Sequence, residues 1–389
     1  RSMRRSCALL ISAASAARGV LQAAQKVRGS TARSARRPLS DYVYHARMMD
    51  YYAQNDTAVA NEFPRARFIL MLDRKALVSV DEETGETKLI EMSYEDLRSC
   101  LVEWGFELSL ENSVFLDLQK AESRRTLEGV EEYEGVFGTA LHSAATPPAG
   151  SPVSIDAIRE EMASSLNGRF MDLRKAMLVM KQEQERNRLA KLHSLSSWAA
   201  TFRRCPCCGA ALRRRESKTA AECAPCRKHF YPTFSPVSIT LVRTPADTHA
   251  LLVRHRGSVP GVFTCVAGFA ATGETLSECA KREVAEEVGL EASSIRQLDV
   301  SQPWPMPDSS LMIGYEAVAS MSDKVQVCPD ELEVARWFTR EEVREALQRT
   351  EKDPHLKGLP KDPNLRNELL FVPPQGAIAH RLIKLWVEK

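Results

Sequence analysis

The sequence predicts an α+β/α/β fold class, with an α/β carboxyl-terminal region preceded by a zinc ribbon and a further amino-terminal domain. Three observations support this fold class. Residues 234–389 hold short apolar runs on both sides of one strongly patterned helix. Residues 196–233 hold two C-x-x-C pairs, and residues 41–195 hold strand-like runs followed by a helical period. A chain of 389 residues has room for about two or three domains of ordinary size.

The composition is that of a folded protein, with 44% hydrophobic and 27% charged residues. It excludes a wholly disordered chain, a collagen-like chain and a small disulfide scaffold. No apolar run approaches the roughly 18 residues of a membrane-spanning helix, so we expect no membrane partner. The formal net charge of +2 does not by itself indicate a nucleic-acid or membrane partner.

Residues 1–40 differ sharply from the rest of the chain. They hold eight Arg and Lys26 but no Asp or Glu. A segment rich in Arg, Ser and Ala without acidic residues is typical of a mitochondrial transit peptide. A secretory signal carries its charge before the apolar stretch, whereas here the charge follows it. We therefore expect import into the mitochondrial matrix; the alternative is a basic tail without a targeting role.

Residues 41–195 are expected to form a small α/β or mainly β domain that ends in a long helix. The apolar run 68–72 predicts a buried strand, and the runs 76–80 and 88–90 predict two strands joined by a turn. From residue 155 to residue 180, apolar residues recur every three or four positions, which predicts one helix with a single apolar face. Nothing in this region indicates catalytic chemistry.

Five of the ten cysteines lie within 22 residues, which suits a metal site in a reducing compartment better than a disulfide framework. The two C-x-x-C pairs are Cys205 with Cys208 and Cys223 with Cys226. Each such turn presents two thiolates to one point, and four thiolates complete a tetrahedral zinc site. We therefore expect structural Zn²⁺ in residues 196–233. Cys207 is an alternative ligand to Cys208.

A nucleic-acid-binding ribbon is the alternative function of this segment. It is suggested by five nearby arginines: Arg203, Arg204, Arg213, Arg214 and Arg215. A run of charge is more often a solvated face, so structural zinc is the preferred interpretation.

In the carboxyl-terminal region, apolar runs predict the successive elements. Strands are predicted at residues 237–242, 250–253, 262–267, 311–319 and 335–338, and a last helix at residues 377–387. One further helix lies between the third and fourth strands. Thr275 followed by Glu278 predicts a capping box, so this helix begins near Leu276. Gly289 predicts a left-handed helix end.

This helix carries the most specific pattern in the chain, with the spacing G-x5-E-x7-R-E-U-x-E-E-x-G-U, where U is aliphatic. Its fixed members are Gly268, Glu274, Arg282, Glu283, Glu286, Glu287 and Gly289. Seven fixed identities at set spacing make it far more specific than most short motifs.

The three glutamates Glu283, Glu286 and Glu287 share one helix face, because they stand at i, i+3 and i+4. Clustered carboxylates repel unless a cation joins them, and hard oxygen ligands suit Mg²⁺ or Mn²⁺. Arg282 lies on a different face and is expected to pair with Glu274, which holds the preceding loop. An ordinary acidic surface helix explains neither the glycines nor the spacing. The pattern predicts phosphoryl transfer to water, driven by positioning and electrostatics.

The pattern matches the Nudix box at every specified position, so the chain is identified as a member of the Nudix hydrolases. Residues 301–312 (SQPWPMPDSSLM) resemble the S-Q-P-W-P-F-P-x-S-L-M signature of the NADH pyrophosphatase branch. The preceding cysteine pairs and Tyr231-Pro232 are also similar to that branch. The resemblance is strong over residues 196–389 and weaker over residues 41–195. With the leader, the chain is most similar to the animal mitochondrial members of the branch.

The resemblance implies a Nudix α/β/α sandwich with a mixed sheet over residues 234–389, preceded by a zinc ribbon and a divergent amino-terminal domain. It implies metal-dependent hydrolysis of NADH, and less well NAD⁺, to nicotinamide mononucleotide and AMP. It also implies a homodimer. Glu283, Glu286 and Glu287 match the metal-binding glutamates of the family, Glu331 matches a further acidic ligand, and Ala267 matches a backbone contact to metal or substrate. Substrate contacts are implied for Tyr231, Phe269, Gln302, Pro303, Trp304, Pro305, Met306, Pro307, Ser310 and Ala379.

Two departures from the signature bear on the nicotinamide side of the substrate: Met306 stands in place of Phe, and one extra residue precedes Ser310. Phe269 and Trp304 are the candidates to stack on a base. Removal of NAD caps from RNA 5′ ends is a second reading with the same chemistry. A nucleotide-binding or RNA-binding module without turnover is a third, against which the intact glutamates argue.

Overall fold

The computed structural model describes residues 41–125, 131–142, 155–307, 309–360, 362 and 365–389. The predicted leader, residues 1–40, lies outside the described residues. The first of two compact units takes in the chain up to Leu77, Ile90–Leu166 and Leu195–Pro232. The second takes in Val78–Leu89, Asn167–Ser194 and Thr233–Lys389. The domain boundaries expected at residues 40, 195 and 233 stay predictions.

The elements up to residue 201 are, in chain order, α1 (Asp41–Gln54), α2 (Asp56–Glu62), β1 (Arg67–Leu72), β2 (Lys75–Val80), β3 (Thr87–Leu89), β4 (Met92–Ser93), α3 (Tyr94–Glu103), β5 (Ser113–Arg125), β6 (Glu131–Leu141), α4 (Ile155–Ser165), β7 (Arg169–Asp172), α5 (Leu173–Val179) and α6 (Glu183–Thr201). The later elements are β8 (Arg213–Arg214), β9 (Ala221–Cys223), β10 (Lys228–Phe230), β11 (Ser235–Arg243), β12 (His249–His255), β13 (Val266–Phe269), α7 (Leu276–Val288), β14 (Ser294–Trp304), β15 (Ser310–Val318), β16 (Leu332–Thr339), α8 (Arg340–Lys352) and α9 (Ile378–Val387).

In the first unit, a sheet forms around β1, which runs parallel to β6 and antiparallel to β4 and to the start of β2. The long strand β5 pairs antiparallel with β6. Four phenylalanines, Phe63, Phe68, Phe115 and Phe137, pack beside these strands with ring centroids 5.1 to 5.6 Å apart. The strands predicted at residues 68–72 and 76–80 are confirmed as β1 and β2.

The single helix predicted from residue 155 to residue 180 is wrong. The helix ends at Ser165, and Asn167 adopts a left-handed conformation with φ of 49°. The short strand β7 follows, and Asp172 then caps α5 by accepting hydrogen bonds from the backbone of the next turn. Apolar spacing of three and four persists on both sides of the interruption, so spacing alone did not reveal it. The long helix at the end of this region is α6.

In the second unit, the sheet order is β14-β15-β11-β12-β16, with β13 paired to β11. The sheet is mixed, because β11 runs parallel to β15 whereas the other described pairs are antiparallel. Along β12, Leu251 and Val253 pack with Val284 and Val288 of α7 on one face. Ala250 and Leu252 join the core under α8 and α9. Alternate strand residues point to opposite faces, so the predicted α/β/α sandwich is confirmed.

No helix among the described residues combines the length and apolar character that a bilayer crossing requires.

Candidate active site

The helix α7 begins and ends as its sequence predicts. The Thr275 hydroxyl accepts a hydrogen bond from the Glu278 backbone at 3.3 Å, and the Glu278 carboxylate accepts one from the Thr275 backbone at 2.8 Å. This capping box satisfies two amide groups at the start of the helix. Gly289 ends the helix in the left-handed region, with φ of 68°.

The glycine at residue 268 leaves room for a carboxylate. A Cβ on Gly268 would lie 1.9 Å from Cδ of Glu283, so the Glu283 carboxyl group rests directly against the backbone of β13. Glycine is required here for space, since its φ does not lie in the left-handed region. Gly289 has a similar second role: an added Cβ would lie 2.7 Å from Cβ of Gln326, in the loop that leads to Glu331.

Arg282 is the centre of the charged network. Its Nε and Nη2 donate to the two oxygens of Glu274 at 2.8 and 3.0 Å, which confirms the predicted pair. Its Nη2 also donates to the backbone oxygen of Phe269, so the loop before α7 is fixed at two points. The guanidinium holds the pKa of Glu274 at about 2, with help from the Ala271 amide.

Arg282 also contacts two of the box glutamates, which the sequence analysis did not predict although Glu286 follows Arg282 at i+4. Its Nη1 donates to Glu283 at 2.7 Å and to Glu286 at 2.8 Å. The prediction that Arg282 lies on a different face is wrong, because Arg282 and Glu286 stand at i and i+4 on the same face. Arg282 and the three glutamates form one connected electrostatic unit.

Glu287 is the most buried of the three glutamates, with only 1% exposure. Burial raises its pKa to about 8, and the charges of Glu283 and Glu331 add to the effect, while a hydrogen bond from the Ala267 backbone opposes it. Its Oε2 has no hydrogen-bond partner among the described residues. A buried carboxylate with a free oxygen beside other carboxylates is costly unless a cation compensates it. The donor set of hard oxygens fits a divalent cation.

The loop that carries Glu331 is fastened to the end of α7. The backbone amides of Gln326 and Cys328 donate to the backbone oxygens of Val288 and Glu287, respectively, both at 2.9 Å. Glu331 is near enough that its charge contributes to the raised pKa values of Glu283 and Glu287. Glu283, Glu287 and Glu331 therefore interact electrostatically, and the Ala267 backbone contacts Glu287, but among the described residues no three of the glutamates place their oxygens within 4.8 Å of one another.

Four thiols converge in the first unit. Their sulfur atoms, from Cys205, Cys208, Cys223 and Cys226, all lie within 4.8 Å of one another. The Cys208–Cys223 and Cys205–Cys226 distances are 3.5 and 4.0 Å. A tetrahedron with 2.3 Å bonds to zinc has edges of about 3.8 Å, so the geometry fits a zinc site. Among the described residues, no other set of three or more His, Cys, Asp or Glu side chains meets this 4.8 Å limit.

Cys207 lies outside this set, so the geometry selects Cys208 as the fourth thiol. Cys207 is exposed, and its sulfur accepts a hydrogen bond from Lys228 at 3.2 Å.

Arginines beside the cysteines make ion pairs and hydrogen bonds within the first unit. Arg213 pairs with Glu222 at 2.9 Å, Arg214 pairs with Glu111, and Arg215 donates to a backbone oxygen. The neighbouring Lys218 is buried and donates to two backbone oxygens at 2.6 Å. These contacts favour docking of the cysteine segment within its own unit over a surface that binds nucleic acid.

The positions expected to contact substrate fall into two groups. In the second unit, residues 303–307 include the end of β14 and lead toward β15, where the buried Ser310 hydroxyl has no hydrogen-bond partner within the described part of the chain. Phe269 is 49% exposed, and Tyr231, in the first unit, is 61% exposed. Of the two rings expected to stack on a base, Phe269 is therefore open to solvent and Trp304 is half-buried.

Gln302 and Ala379 make buried contacts inside the second unit. The Gln302 amide donates to the Gly376 oxygen and accepts from the Ile378 amide, both at 2.7 Å. It therefore ties β14 to the start of α9, while Ala379 packs in the core under α9. Their side chains organise the wall of this region, a role that sequence reasoning did not assign.

Comparison with known proteins agrees with this geometry. The NUDIX domain model matches residues 235–359. A Caenorhabditis elegans protein named NAD-capped RNA hydrolase ndx-9 is 51% identical over 89% of this chain and 90% of its own length. A Mus musculus protein named NAD(P)H pyrophosphatase NUDT13, mitochondrial, is 33% identical over 90% and 93%. Human NAD-capped RNA hydrolase NUDT12 is 30% identical over 86% and 70%.

These relatives cover most of both chains, and the box, the loop glutamate and the sandwich occur together in the structure. The chain therefore belongs to the Nudix hydrolase family, in its NADH pyrophosphatase-like branch, and is a pyrophosphohydrolase.

Proposed function

We propose that this protein hydrolyses the pyrophosphate bond of NADH, and less well that of NAD⁺, to nicotinamide mononucleotide and AMP. The observation that carries the proposal is the buried Glu287, which lies in the field of Glu283 and Glu331 and has one oxygen without a hydrogen-bond partner among the described residues. The signature at residues 301–312 and the mouse relative named NAD(P)H pyrophosphatase support the dinucleotide as substrate.

Glu283, Glu286, Glu287, Glu331 and the Ala267 backbone would hold Mg²⁺ or Mn²⁺. When bound, these cations neutralise diphosphate charge and lower the pKa of an attacking water.

The protein groups around this centre position the reaction. Arg282 and Glu274 fix the loop that carries Phe269 against α7. Phe269 and Trp304 would stack on the bases of the dinucleotide. The other contacts that we propose for the substrate are Tyr231, Gln302, Pro303, Pro305, Met306, Pro307, Ser310 and Ala379.

Removal of NAD caps from RNA is the second candidate, because the Caenorhabditis elegans and human relatives are named NAD-capped RNA hydrolases. The same carboxylates would cleave the same bond in a longer substrate. The discriminating experiment compares kcat/KM for NADH, NAD⁺ and a short NAD-capped RNA under one metal condition. Preference for NADH supports the main proposal, and preference for capped RNA by tenfold or more replaces it. Binding without metal-dependent products would support a non-catalytic module.

Structural zinc on Cys205, Cys208, Cys223 and Cys226, a homodimer and residence in the mitochondrial matrix complete the proposal. The acid-free leader and the relative named mitochondrial support the location. Fusion of residues 1–40 to a fluorescent protein tests it, and light scattering tests the dimer.

The Gly268→Ala variant should lose activity without losing its fold. The added methyl group displaces the Glu283 carboxyl group, which lies 1.9 Å from the new Cβ position. Misplacement of a catalytic group by about 1 Å costs on the order of a hundredfold in rate. Steady-state kinetics with NADH measure the loss. The matched control is Gly358→Ala, whose Cβ would meet only the end of the Asp353 carboxylate at 3.3 Å. Equal activities of wild type and Gly268→Ala would contradict the steric role.

Cation binding should weaken as the pH falls. The pKa of Glu287 is raised to about 8, so below that pH a cation must displace a proton from it. One displaced proton weakens apparent affinity by about tenfold for each pH unit below 8. Calorimetric titration of metal-free protein with Mn²⁺ at pH 6.5, 7.5 and 8.5 measures this slope. A Glu287→Gln variant should bind weakly with a flatter profile, and a pH-independent affinity in wild type would contradict the assignment.

A further inference from the structure

The second unit contains a buried charge network that neither the box nor the substrate positions include. Arg254 on β12 is only 1% exposed, and its Nη2 donates to Glu333 at 2.5 Å and to Asn367 at 2.9 Å. Arg366 donates to both oxygens of the same Glu333 carboxylate, at 2.7 and 3.1 Å. Two arginines from distant segments therefore fix one carboxylate.

Glu333 is the extra residue of a β-bulge. The register pairs Arg254 with Val334 and His255 with Leu332, so Glu333 has no opposite residue on β12. The bulge also reverses the side-chain alternation. Leu332 packs in the α7-side core, whereas Val334, two positions later, packs against the core under α8 and α9. Residues two apart in a regular strand would share a face.

The bulge lies two residues from Glu331 and sets the course of its loop. The backbone amide of Arg256 donates to the backbone oxygen of Glu331 at 2.9 Å. The Arg256 guanidinium donates to the backbone oxygen of Pro329. A shift of one residue in strand register turns each side chain to the other face. Loss of the bulge would therefore re-aim Leu332 and the turn that carries Glu331. Bulges beside active sites commonly serve to re-aim a side chain.

We propose that Arg254, Glu333 and Arg366 are positioning residues that hold this bulge and thereby aim Glu331 at the box glutamates. The inference rests on the proposed role of Glu331 as a cation ligand. It assigns a function to a buried ion-pair network that would otherwise serve stability alone.

The test is a double-mutant cycle on Mn²⁺ binding to the metal-free full chain, followed by calorimetry and by electron paramagnetic resonance. Glu333→Gln should weaken Mn²⁺ binding by about tenfold, the size typical of groups that orient metal ligands. Glu331→Gln should weaken it by at least as much, and the double variant should be no weaker than Glu331→Gln alone. Glu341→Gln, an exposed acid of α8 that pairs with Arg344, is the matched control and should change nothing.

Additive effects of Glu333→Gln and Glu331→Gln, or unchanged binding in Glu333→Gln, would overturn the positioning role. Unchanged binding in Glu331→Gln would instead refute the proposed ligand itself, so the two failures are distinct. Glu333→Gln removes a charge partner from the buried Arg254, which can prevent folding. If Glu333→Gln does not fold, the variant Arg366→Gln is measured in its place. Arg366 is half exposed, and its replacement leaves the Arg254–Glu333 contact intact. That variant should show about threefold weaker Mn²⁺ binding, and unchanged binding would overturn the proposal.

Discussion

Replacement of Glu287 by Gln should lower kcat for NADH hydrolysis by roughly a thousandfold, because one preorganised charge in a water-excluded site is worth about that much. The side chain is 1% exposed and its Oε2 has no partner among the described residues, so Gln fits the space without the charge. Initial rates with Mg²⁺ and Mn²⁺ measure the loss. The exposed Glu291, just beyond α7, gives the control variant Glu291→Gln, which should keep full activity.

The same variant has a second expected signature in the metal-free protein. Burial raises the pKa of Glu287 to about 8 in the folded state, so its contribution to stability is complete at low pH and is lost as the pH rises toward 8. Gln does not titrate and escapes this loss. In EDTA at pH 8.5, Glu287→Gln should therefore melt at a higher temperature than wild type. Full activity, or a lower melting temperature under these conditions, would argue against the assigned role.

Replacement of Cys223 by Ser should remove bound zinc and unfold the cysteine segment. Cys223 is buried and lies 3.5 Å from Cys208, inside a set of four thiols. The strands around it are two or three residues long, too short to form a stable sheet without a further constraint. Structural zinc supplies apparent binding free energies of about 10–16 kcal/mol in zinc-finger peptides. Elemental analysis should find one zinc per wild-type chain and almost none in the variant.

Cys207→Ser provides the matched control for this prediction. Cys207 is exposed, lies outside the four-thiol set and contacts Lys228 instead. The control should keep its zinc and its melting temperature. Equal loss of zinc in both variants, or wild-type protein that is stable without zinc, would be inconsistent with the proposed site.

The sequence predicted the features that depend on local chemistry. The capping box at Thr275, the helix end at Gly289 and the Arg282–Glu274 pair all involve residues within about one or two helical turns or one short loop. The mixed sheet and its two helical faces were implied by the resemblance to the Nudix hydrolases. The elements that were not predicted include the helices α1, α2, α3 and α8 and the strands β6 and β14.

Features that depend on distant segments could not be predicted in this way. The bulge at Glu333 requires Arg254 and Arg366, which lie 79 and 33 residues away in the chain. Similarly, the steric reason for Gly268 is visible only when Glu283 is placed against it. The interruption between α4 and α5 was hidden because both helices keep the same apolar spacing.

An isotope-labelling experiment tests whether the box glutamates are needed to cleave the pyrophosphate bond of NADH. Purified protein is incubated with NADH and Mn²⁺ in ¹⁸O-labelled water, with Glu286→Gln/Glu287→Gln as the control, and products are identified by mass spectrometry. We expect AMP and reduced nicotinamide mononucleotide, with one ¹⁸O on a product phosphate and no product from the double variant. Folded, zinc-loaded wild type that leaves NADH intact, or a double variant with wild-type turnover, would contradict it.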